Sequence, residues 1–322
     1  MKNEAKMSRY YKCDYMDSGI NFEKNSVFVC CKTAHEGGGM PILAQNYNDF
    51  DFNKIFELKK KWKEQIASGN PPARCKGCPS IIETDELVDD LAFNFVDVNS
   101  FVNCNSKCIY CNTWSIEGFK ETSLLPKFEE LFEKNLLKDS RHGYVQFAGG
   151  EPALMKDFEK IVDLCLSKGI SRYIVNTSGI KYSEGINRLI KEAETNICVS
   201  LDSGTPETYK KVKRVPCFEK VVENLKKYAE SQKNSRSTVK SKYIILQDIN
   251  DNFEEINKWY DLSLSMGIKF VVLDVEREWF KHNNREISDR MKELIAHIQN
   301  RCKEDGIALD YYEQLKCLYG LH

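Results

Sequence analysis

The sequence predicts an α/β fold in which a parallel sheet curves into a partial (β/α)6 barrel, with a small Cys-rich module in front of it. From about residue 91 onward, short apolar runs alternate with amphipathic helical patterns, which is typical of successive β–α units. Six such runs are too few for a complete eight-stranded barrel. The first ninety residues instead contain five of the 13 Cys. We therefore divide the chain into an N-terminal module, 1–90, and a barrel, 91–322.

Each predicted strand is a short run rich in β-branched or aromatic residues. In chain order the six strands are Phe93 to Val98, Tyr144 to Ala148, Arg172 to Asn176, Ile197 to Leu201, Lys242 to Gln247 and Lys269 to Val275. The N-terminal module contains one amphipathic helix, because apolar residues recur there at helical spacing. These residues are Ile55, Leu58, Trp62 and Ile66. The helix should end at Gly69, since two Pro follow within three residues.

The composition is that of an ordinary globular protein, with 42% apolar and 30% charged residues in a chain of 322. A net charge of −1 predicts no general attraction to nucleic acid or to a membrane surface. The polar start lacks the apolar segment of a signal peptide, and no apolar run is long enough to span a bilayer. We therefore expect a cytoplasmic protein whose Cys are reduced and available for metals. We interpret two short basic runs, 59–61 and 210–214, as solvated helix or loop faces.

Three cysteines, Cys104, Cys108 and Cys111, lie within eight residues directly after the first predicted strand. Cys is the standard ligand of iron–sulfur clusters, so three thiolates could hold three corners of a cubane. No further Cys follows nearby, and the fourth iron would then stay open to a small chelating molecule. A zinc site or a set of buried thiols is the alternative interpretation.

A second motif, Gly149-Gly150-Glu151-Pro152, follows the second predicted strand. Glycine has no Cβ and can take positive φ, so the backbone of this turn can lie close to a ligand and bond it directly. Glu151 could accept a hydrogen bond from an ammonium group, and Pro152 would fix the exit of the turn. The two motifs together predict a ligand site at the carboxyl ends of the strands.

These motifs resemble the signatures of the radical S-adenosylmethionine (radical SAM) superfamily. The spacing Cys104-x3-Cys108-x2-Cys111, with aromatic Tyr110 before the last Cys, is similar to the family's cluster motif. The Gly149–Pro152 turn is similar to its methionine-binding GGEP motif. The segments 176–179 and 199–202 resemble the motifs that end the next two strands. The resemblance extends from about residue 93 to about residue 276.

The resemblance implies a [4Fe–4S] cluster with an open iron that chelates S-adenosyl-L-methionine. Reduction of the cluster, by an electron donor such as flavodoxin or ferredoxin, would then yield a 5′-deoxyadenosyl radical that removes a hydrogen atom from a substrate. The residues expected at the cofactor are Tyr110, Gly149, Gly150, Glu151, Pro152, Asn176, Ser200 and Asp202.

The first ninety residues resemble the twitch module, a shortened form of the SPASM auxiliary-cluster domain. In most relatives this module follows the barrel, whereas here it precedes it. The resemblance implies a second, fully ligated [4Fe–4S] cluster on Cys13, Cys30, Cys75 and Cys78. A four-Cys zinc site is the alternative, because a Cys-x2-Cys knuckle also suits zinc. Cys31 could replace Cys30 as a ligand.

Other residues are candidates for the reaction itself. Cys31 and Cys217 are candidate hydrogen-atom donors. Polar residues at the ends of the fifth and sixth strands are candidates to face the substrate, with ordinary surface charge as the alternative: Gln247, Asp248, Asn250, Glu276 and Arg277. Four further Cys lie in apolar patterns and are expected to be inert buried thiols: Cys165, Cys198, Cys302 and Cys317. His35 and His142 are expected in loops.

The resemblance implies a radical SAM enzyme that acts on an organic substrate. Modification of a peptide or protein, by cross-linking, epimerisation or oxidation, is the first interpretation. Radical oxidation or rearrangement of a carbohydrate or a nucleotide is the alternative. A non-catalytic iron–sulfur or zinc-binding protein is the alternative from a different class. That class has no need of the Gly149-Gly150-Glu151 motif, which argues against it.

Overall fold

The computed structural model describes most of the chain. The described residues are 10–24, 26–29, 42–44, 50–78, 80–85, 92–100, 103–111, 113–115, 121–141, 143–283 and 286–319. Cys30, Cys31, His35 and His142 lie outside them, and the side chain of Cys317 is not described. Within the described residues, no helix is long and apolar enough to cross a membrane.

The strands found in the described residues form two sheets. They are β1 Tyr10–Lys12, β2 Gly19–Glu23, β3 Ser26–Phe28, β4 Ile42–Ala44, β5 Ile82–Thr84, β6 Phe95–Asn99, β7 Tyr144–Phe147, β8 Arg172–Thr177, β9 Glu194–Ser200, β10 Thr238–Ile245, β11 Phe270–Val275 and β12 Ala308–Tyr311. Strands β1 and β5 form a small antiparallel pair, and the other ten strands form one sheet in the order β12-β11-β10-β9-β8-β7-β6-β2-β3-β4.

The helices mostly lie between successive strands of this sheet. They are α1 Asp14–Ser18, α2 Phe52–Ala67, α3 Leu125–Glu133, α4 Phe158–Ser167, α5 Glu184–Glu192, α6 Pro206–Lys213, α7 Phe218–Ser231, α8 Phe253–Ser265, α9 Arg277–His282, α10 Asp289–Asp305 and α11 Glu313–Leu318. The predicted N-terminal helix corresponds to α2, which begins after the capping side chain of Asp51 and ends before Gly69.

Eight neighbouring strands of the large sheet, β2 and β6 to β12, run parallel, and β6 to β12 follow one another in chain order. The sheet is open, since the strand order has two ends. This is the predicted α/β fold, and all six predicted strands are confirmed. The sequence did not predict β12, which is short and carries the charged Asp310 within four residues.

The N-terminal segment joins the same sheet. Strand β2 pairs in parallel with β6, from Gly19 beside Phe95 to Glu23 beside Asn99, and β3 and β4 extend the edge antiparallel. The side chain of Lys59 on α2 is fully buried and donates to the carbonyl of Gly19 at 2.7 Å. The interpretation of run 59–61 as a solvated face is therefore wrong for Lys59. The division of the chain at residues 90 and 91 stays a prediction.

Candidate active site

The loop that follows β6 contains three cysteines, and a short turn brings the last two together. The N–H of Cys111 donates to the carbonyl of Cys108 at 3.2 Å. The hydroxyl of Ser106 lies 3.1 Å from Cys108 Sγ. Cys104, Cys108 and Cys111 are all half-buried and none forms a disulfide. The loop therefore leaves three thiols available as ligands.

The thiol of Cys104 is close enough to the other two to interact electrostatically with them. Burial, followed by the charges of Glu151, Cys108 and Cys111, raises the pKa of Cys104 to about 11, against a backbone hydrogen bond from Ser106 that lowers it. A Cys ligand must lose its proton to bind a metal. Metal binding at this loop should therefore release protons.

The chemistry of the loop suits an iron–sulfur cubane. Each Cys ligand of a cubane binds a separate iron, so three thiols can hold three of its irons. Three half-buried thiols in one short loop fit a cubane that keeps its fourth iron open.

The C-terminus of helix α6 holds the cysteine loop in place. Lys107 N–H donates to the carbonyl of Lys213 at 2.9 Å, and Ile109 N–H donates to the carbonyl of Val212 at 3.0 Å. The last carbonyls of a helix have no hydrogen-bond partner within the helix, so these bonds satisfy both the helix carbonyls and the N–H groups of the loop. Trp114 Nε1 adds a third contact, since it donates to the carbonyl of Cys108 at 3.1 Å.

A group of three polar side chains, of which Lys213 and Asp202 are buried and Tyr110 is half-buried, connects the same loop to the end of β9. Tyr110 Oη donates to Asp202 Oδ2 at 2.6 Å, and Lys213 Nζ donates to Tyr110 Oη at 2.8 Å. Lys213 also forms an ion pair with Asp202, and their side chains are 1% and 0% exposed. The interpretation of the basic run 210–214 as a solvated face is therefore wrong for Lys213.

The protonation of this group follows from its pairing. Burial alone would lower the pKa of Lys213, but the charges of Asp202, Cys108 and Tyr209 and the hydrogen bond to Asp202 together outweigh it, and the net shift is upward. The pKa of Tyr110 is raised, first by burial and then by the charge of Asp202. Lys213 therefore stays a cation, and Tyr110 stays a phenol that can donate.

Asp202 has a structural role that its place in the sequence did not reveal. Its φ of 57° lies in the left-handed region, and its Oδ1 accepts from the N–H of Ile244 at 2.9 Å. Asn250 Nδ2 donates to the carbonyl of Asp202 at 3.0 Å, while Leu246 N–H donates to Asn250 Oδ1 at 2.7 Å. Asp202 and Asn250 therefore join the ends of β9 and β10, and both side chains are fully buried.

The carboxylate of Glu151 is already occupied by groups of the protein. It is fully buried and accepts from Thr177 Oγ1 at 2.7 Å, from Ser178 N at 2.7 Å, from Ser178 Oγ at 2.6 Å and from Ala153 N at 3.1 Å. Burial raises its pKa, and the hydrogen bonds from Ser178 and Thr177 oppose this. The expectation that Glu151 accepts from an ammonium group stays a prediction, and in the structure its side chain ties the Gly–Gly turn to the end of β8.

The backbone of the Gly–Gly turn remains accessible. Gly149 is exposed and has a φ of 105°, a conformation that favours glycine, while Gly150 is half-buried. Glu151 N–H donates to the carbonyl of Asn103 at 2.8 Å, so the turn lies directly beside the start of the cysteine loop. Pro152 is buried at the exit of the turn. A ligand here would meet backbone groups of the glycines.

The remaining predicted cofactor residues lie at the carboxyl ends of the next strands. Asn176 and Ser200 are half-buried in the last residues of β8 and β9. Beside them, Ser178 Oγ, which donates to Glu151, also lies 2.9 Å from the side-chain amide of Asn105. The structure therefore brings the cysteine loop, the Gly–Gly turn and the ends of β8 and β9 to one edge of the sheet.

A cleft of about 740 Å³ opens beside the last of the three thiols. This volume is within the range of small-molecule sites. The lining residues are Ile109, Tyr110, Cys111, Thr113, Leu246, Gln247, Ile249, Glu276, Arg277 and Trp279. Gln247, Glu276 and Arg277 were expected to face a substrate, whereas Asp248 and Asn250 are not among the lining residues. Trp279 was not predicted.

Comparison with known proteins identifies the family. The sequence profile of the Radical SAM superfamily matches residues 98–261, slightly more than half of the 322 residues. The chain belongs to the radical SAM superfamily. Such enzymes use a [4Fe–4S] cluster and S-adenosylmethionine, take electrons from a reductant and act on a substrate. The predicted family and enzyme class are confirmed, and the non-catalytic alternative is wrong.

Curated relatives of this radical SAM chain include GTP 3′,8-cyclases. The enzyme of Clostridium botulinum is 26% identical over 216 residues, which cover 63% of this chain and 65% of that protein. The enzyme of Psychromonas ingrahamii is 24% identical over 245 residues, covering 71% and 69%. The chain thus spans about 65% of the length of the botulinum relative.

Solved structures share the fold at low sequence identity. Streptococcus suis SuiB bound to S-adenosylmethionine has a TM-score of 0.52 and 12% identity, covering 83% of this chain and 57% of that one. SuiB bound to the precursor peptide SuiA also has a TM-score of 0.52, with 11% identity, covering 95% and 72%. Native anSMEcpe with bound AdoMet has a TM-score of 0.51 and 16% identity, covering 66% and 62%.

Most of the other cysteines of this radical SAM chain lie away from the cleft. Cys217 precedes α7, is half-buried and packs against the main apolar core; it is not among the cleft-lining residues. Cys165, Cys198 and Cys302 are buried, as predicted. Cys31, the other candidate hydrogen-atom donor, lies outside the described residues.

The three described N-terminal cysteines, Cys13, Cys75 and Cys78, lie close together near the amino end of β2. Cys13 and Cys75 pack against one small apolar cluster of Met16, Val29 and Ile66. The charge of Cys78 raises the pKa of Cys13, after the larger effect of burial. The N–H of Cys78 donates to the carbonyl of Cys75 at 3.1 Å. Three of the four predicted ligands are therefore neighbours, while Cys30 lies outside the described residues.

The position of this cysteine group relative to the sheet follows from Gly19, the first residue of β2. A Cβ on Gly19 would lie 2.7 Å from the carbonyl oxygen of Val29 and 2.5 Å from that of Tyr15, so only glycine fits this close approach. Val29 and the chain after Cys13 thus pack at the amino end of β2. The loop of Cys104 instead follows the carboxyl end of its partner β6.

Proposed function

We propose that this chain is a radical SAM enzyme whose cluster is held by Cys104, Cys108 and Cys111, and whose substrate binds in the adjoining cleft. The observation that carries the proposal is the shared wall of loop and cleft. Tyr110 and Cys111 belong to the cysteine loop and also line the cleft, together with the ends of β10 and β11. A radical formed at the loop would therefore act on whatever occupies the cleft.

The residues of the chain would hold and orient the cofactor. The three thiolates would bind the cluster, and the accessible backbone of Gly149 and Gly150 would bond the methionine part of S-adenosylmethionine. Glu151 would position that turn through Ser178 and Thr177. Bound together, cluster and cofactor would supply the 5′-deoxyadenosyl radical beside the cleft.

We propose a nucleotide as the substrate, which was the alternative interpretation of the sequence. Arg277 is exposed at the cleft and has no hydrogen bond or ion pair to any described residue. A free guanidinium suits a phosphate. Trp279 and Tyr110 line the cleft, and their aromatic rings would suit a base. The similarity to GTP 3′,8-cyclases, whose names state a nucleotide substrate, supports the same class.

Modification of a peptide is the second candidate. It is favoured by the likeness to SuiB bound to its precursor peptide, which covers 95% of this chain. That likeness concerns the fold, at 11% identity. Cross-linking, epimerisation or oxidation of a peptide side chain would use the same radical and the same cleft.

We also propose a second [4Fe–4S] cluster on Cys13, Cys75 and Cys78, with Cys30 or Cys31 as the fourth ligand. These thiols lie at the amino end of β2, whereas the cleft is lined by the carboxyl ends of β10 and β11. A five-residue strand is about 16 Å long. Such a cluster would not touch a substrate in the cleft, so its role would be electron transfer and stabilisation of the N-terminal segment. Zinc is the alternative occupant.

The substrate class can be tested with anaerobic, reconstituted protein, dithionite and S-adenosylmethionine. Nucleoside triphosphates, the corresponding nucleosides and a peptide mixture are added separately, and 5′-deoxyadenosine is measured by chromatography. We expect the triphosphates to increase its formation and the nucleosides to do so weakly. A rise with peptides alone would replace the nucleotide proposal by the peptide one.

A matched pair of variants refines this test. Arg277→Gln should raise the KM for the responding triphosphate about tenfold, because a hydrogen bond to a charged group is lost. Lys269→Gln removes an exposed cation at the opposite end of the same strand and should leave the KM unchanged. Equal effects of both variants, or none from either, would contradict phosphate binding by Arg277.

A further inference from the structure

We propose that Lys213 is a positioning residue for the iron–sulfur cluster: its buried ammonium fixes the cysteine loop through Tyr110 and balances the charge of Asp202 beside the cluster. This inference rests on the proposed placement of the cluster on Cys104, Cys108 and Cys111. It assigns a function to a residue that lies outside the four motif segments described above and that the sequence placed on a solvated face.

The contacts of Lys213 make it the centre of the attachment between loop and sheet. Its Nζ donates to Tyr110 Oη at 2.8 Å, pairs with Asp202 and lies 5.2 Å from the centre of the Tyr110 ring. Tyr110 lies between two proposed ligands in the sequence, Cys108 and Cys111. A movement of Lys213 would therefore be transmitted directly to two corners of the cluster.

The backbone of Lys213 takes part in the same attachment. Its carbonyl accepts from Lys107 N–H at 2.9 Å. Helix α6 ends immediately afterwards, because Arg214 has a φ of 57°. Lys210 and Lys211 on the same helix are exposed. The last helical residue is therefore the one whose main chain and side chain both hold the cysteine loop.

The charge of Lys213 also has a consequence for the reduction of the cluster. Reduction adds one electron, and a nearby uncompensated carboxylate would oppose it. Asp202 is 0% exposed and its cationic partner among the described residues is Lys213. Removing Lys213 alone would leave this carboxylate buried without a cation. The reduction potential of the cluster should then become more negative.

Four variants of the full-length protein separate charge from position. Lys213→Met removes the cation, and Lys213→Arg keeps it. The double variant Lys213→Met with Asp202→Asn removes both charges. Lys211→Met removes an exposed cation from the same helix and is the control. The readouts are hydrogen exchange of residues 103–111 in the iron-free protein, iron loss to a chelator, the EPR-monitored reduction potential, and 5′-deoxyadenosine formation.

We expect Lys213→Met to exchange faster at residues 103–111, to lose iron faster, to have a more negative potential and to form 5′-deoxyadenosine at least tenfold more slowly. Lys213→Arg should restore most of each property. The double variant should recover the reduction potential of the unmodified protein. Its hydrogen exchange at residues 103–111 should stay fast, since Tyr110 no longer has its two ionic partners. Lys211→Met should match the unmodified protein throughout.

Two results would overturn the inference. One is a Lys213→Met protein with unchanged exchange and potential. The other applies if Lys213→Met does not fold. A double variant whose hydrogen exchange, iron retention and 5′-deoxyadenosine formation equal those of the unmodified protein would then show that the pair of Lys213 and Asp202 is dispensable. Absence of iron and 5′-deoxyadenosine from the unmodified protein would instead refute the proposed function, so the two failures are distinguishable.

Discussion

The two cysteine groups lie at opposite ends of one pair of parallel strands, and they are held in different ways. The loop of Cys104 follows β6 and is fixed by hydrogen bonds to the last carbonyls of α6, by the hydrogen bond from Trp114, and by the contacts of Tyr110 with the buried pair of Lys213 and Asp202. The group of Cys13, Cys75 and Cys78 lies at the amino end of β2, where Cys13 and Cys75 pack on a small apolar cluster. Directional bonds fix geometry more closely than apolar packing does.

This difference corresponds to the proposed work of the two sites. A cluster with an open iron must place S-adenosylmethionine against a substrate, where an error of 1 Å is costly. A fully ligated cluster that relays electrons needs only a suitable distance and protection from water. The following predictions test whether the two sites are divided in this way.

The largest effect is expected from Cys104, Cys108 and Cys111, replaced together by Ala. The open cluster should be lost, and 5′-deoxyadenosine should fall to the level of a protein-free control. The iron content should fall from about eight to about four atoms per chain if both groups hold cubanes. Undiminished 5′-deoxyadenosine formation by the triple variant would refute the placement of the reactive cluster.

The second prediction concerns Cys75→Ala. This variant should keep 5′-deoxyadenosine formation within about twofold, because the remaining site is that of the reactive cluster, but it should reduce product formation or the yield of folded protein. Iron should again be about four atoms per chain. Stoichiometric zinc in the unmodified protein would make the N-terminal site structural, and full turnover by a well-folded Cys75→Ala protein would make it dispensable.

Glu151→Ala should have a smaller effect on the first site. The variant removes the acceptor for Ser178 and Thr177, so the Gly–Gly turn loses its attachment to β8. We expect the cluster to be retained and S-adenosylmethionine to bind about ten- to a hundredfold more weakly, equivalent to about 1.5–3 kcal/mol. Calorimetry measures the affinity. Thr177→Val removes one of the donors and should weaken binding less; an equal affinity in all three proteins would mean that the turn has no part in binding.

The smallest effect is expected from Trp114→Phe. This change removes one hydrogen bond, from the indole to the carbonyl of Cys108, and costs about 1 kcal/mol. Iron should leave the first site a few times faster in the presence of a chelator, while 5′-deoxyadenosine formation changes little. A loss of iron as fast as in Lys213→Met would show that the attachment depends on Trp114 rather than on the buried pair.

Local patterns were sufficient to predict much of this arrangement. The six strands, helix α2 and the buried thiols of Cys165, Cys198 and Cys302 follow from periodicity and hydrophobicity. The loop at Cys104 and the turn at Gly149 are adjacent in the structure because the carboxyl ends of parallel strands meet at one edge.

The missed features depend on contacts between distant segments. Lys213 and Lys211 are two residues apart in one basic run, yet only the first meets the carboxylate of Asp202. The sequence alone did not show that Glu151 accepts a hydrogen bond from Ser178, which directly follows β8. Strand β2 is paired on both sides, and is not an edge strand, because β6 lies beside it. Spacing along the chain contains no information of this kind.

The parallel pairing of β2 with β6 has a consequence for how the protein is made. Gly19 pairs with Phe95, which is synthesised 76 residues later, so the edge of β2 that pairs with β6 stays uncovered until then. Its other neighbour, β3, is available almost at once. During synthesis the early hairpin should therefore expose an unpaired strand edge, which invites association with other chains. If the N-terminal cysteines hold the proposed metal, its early capture would protect this edge.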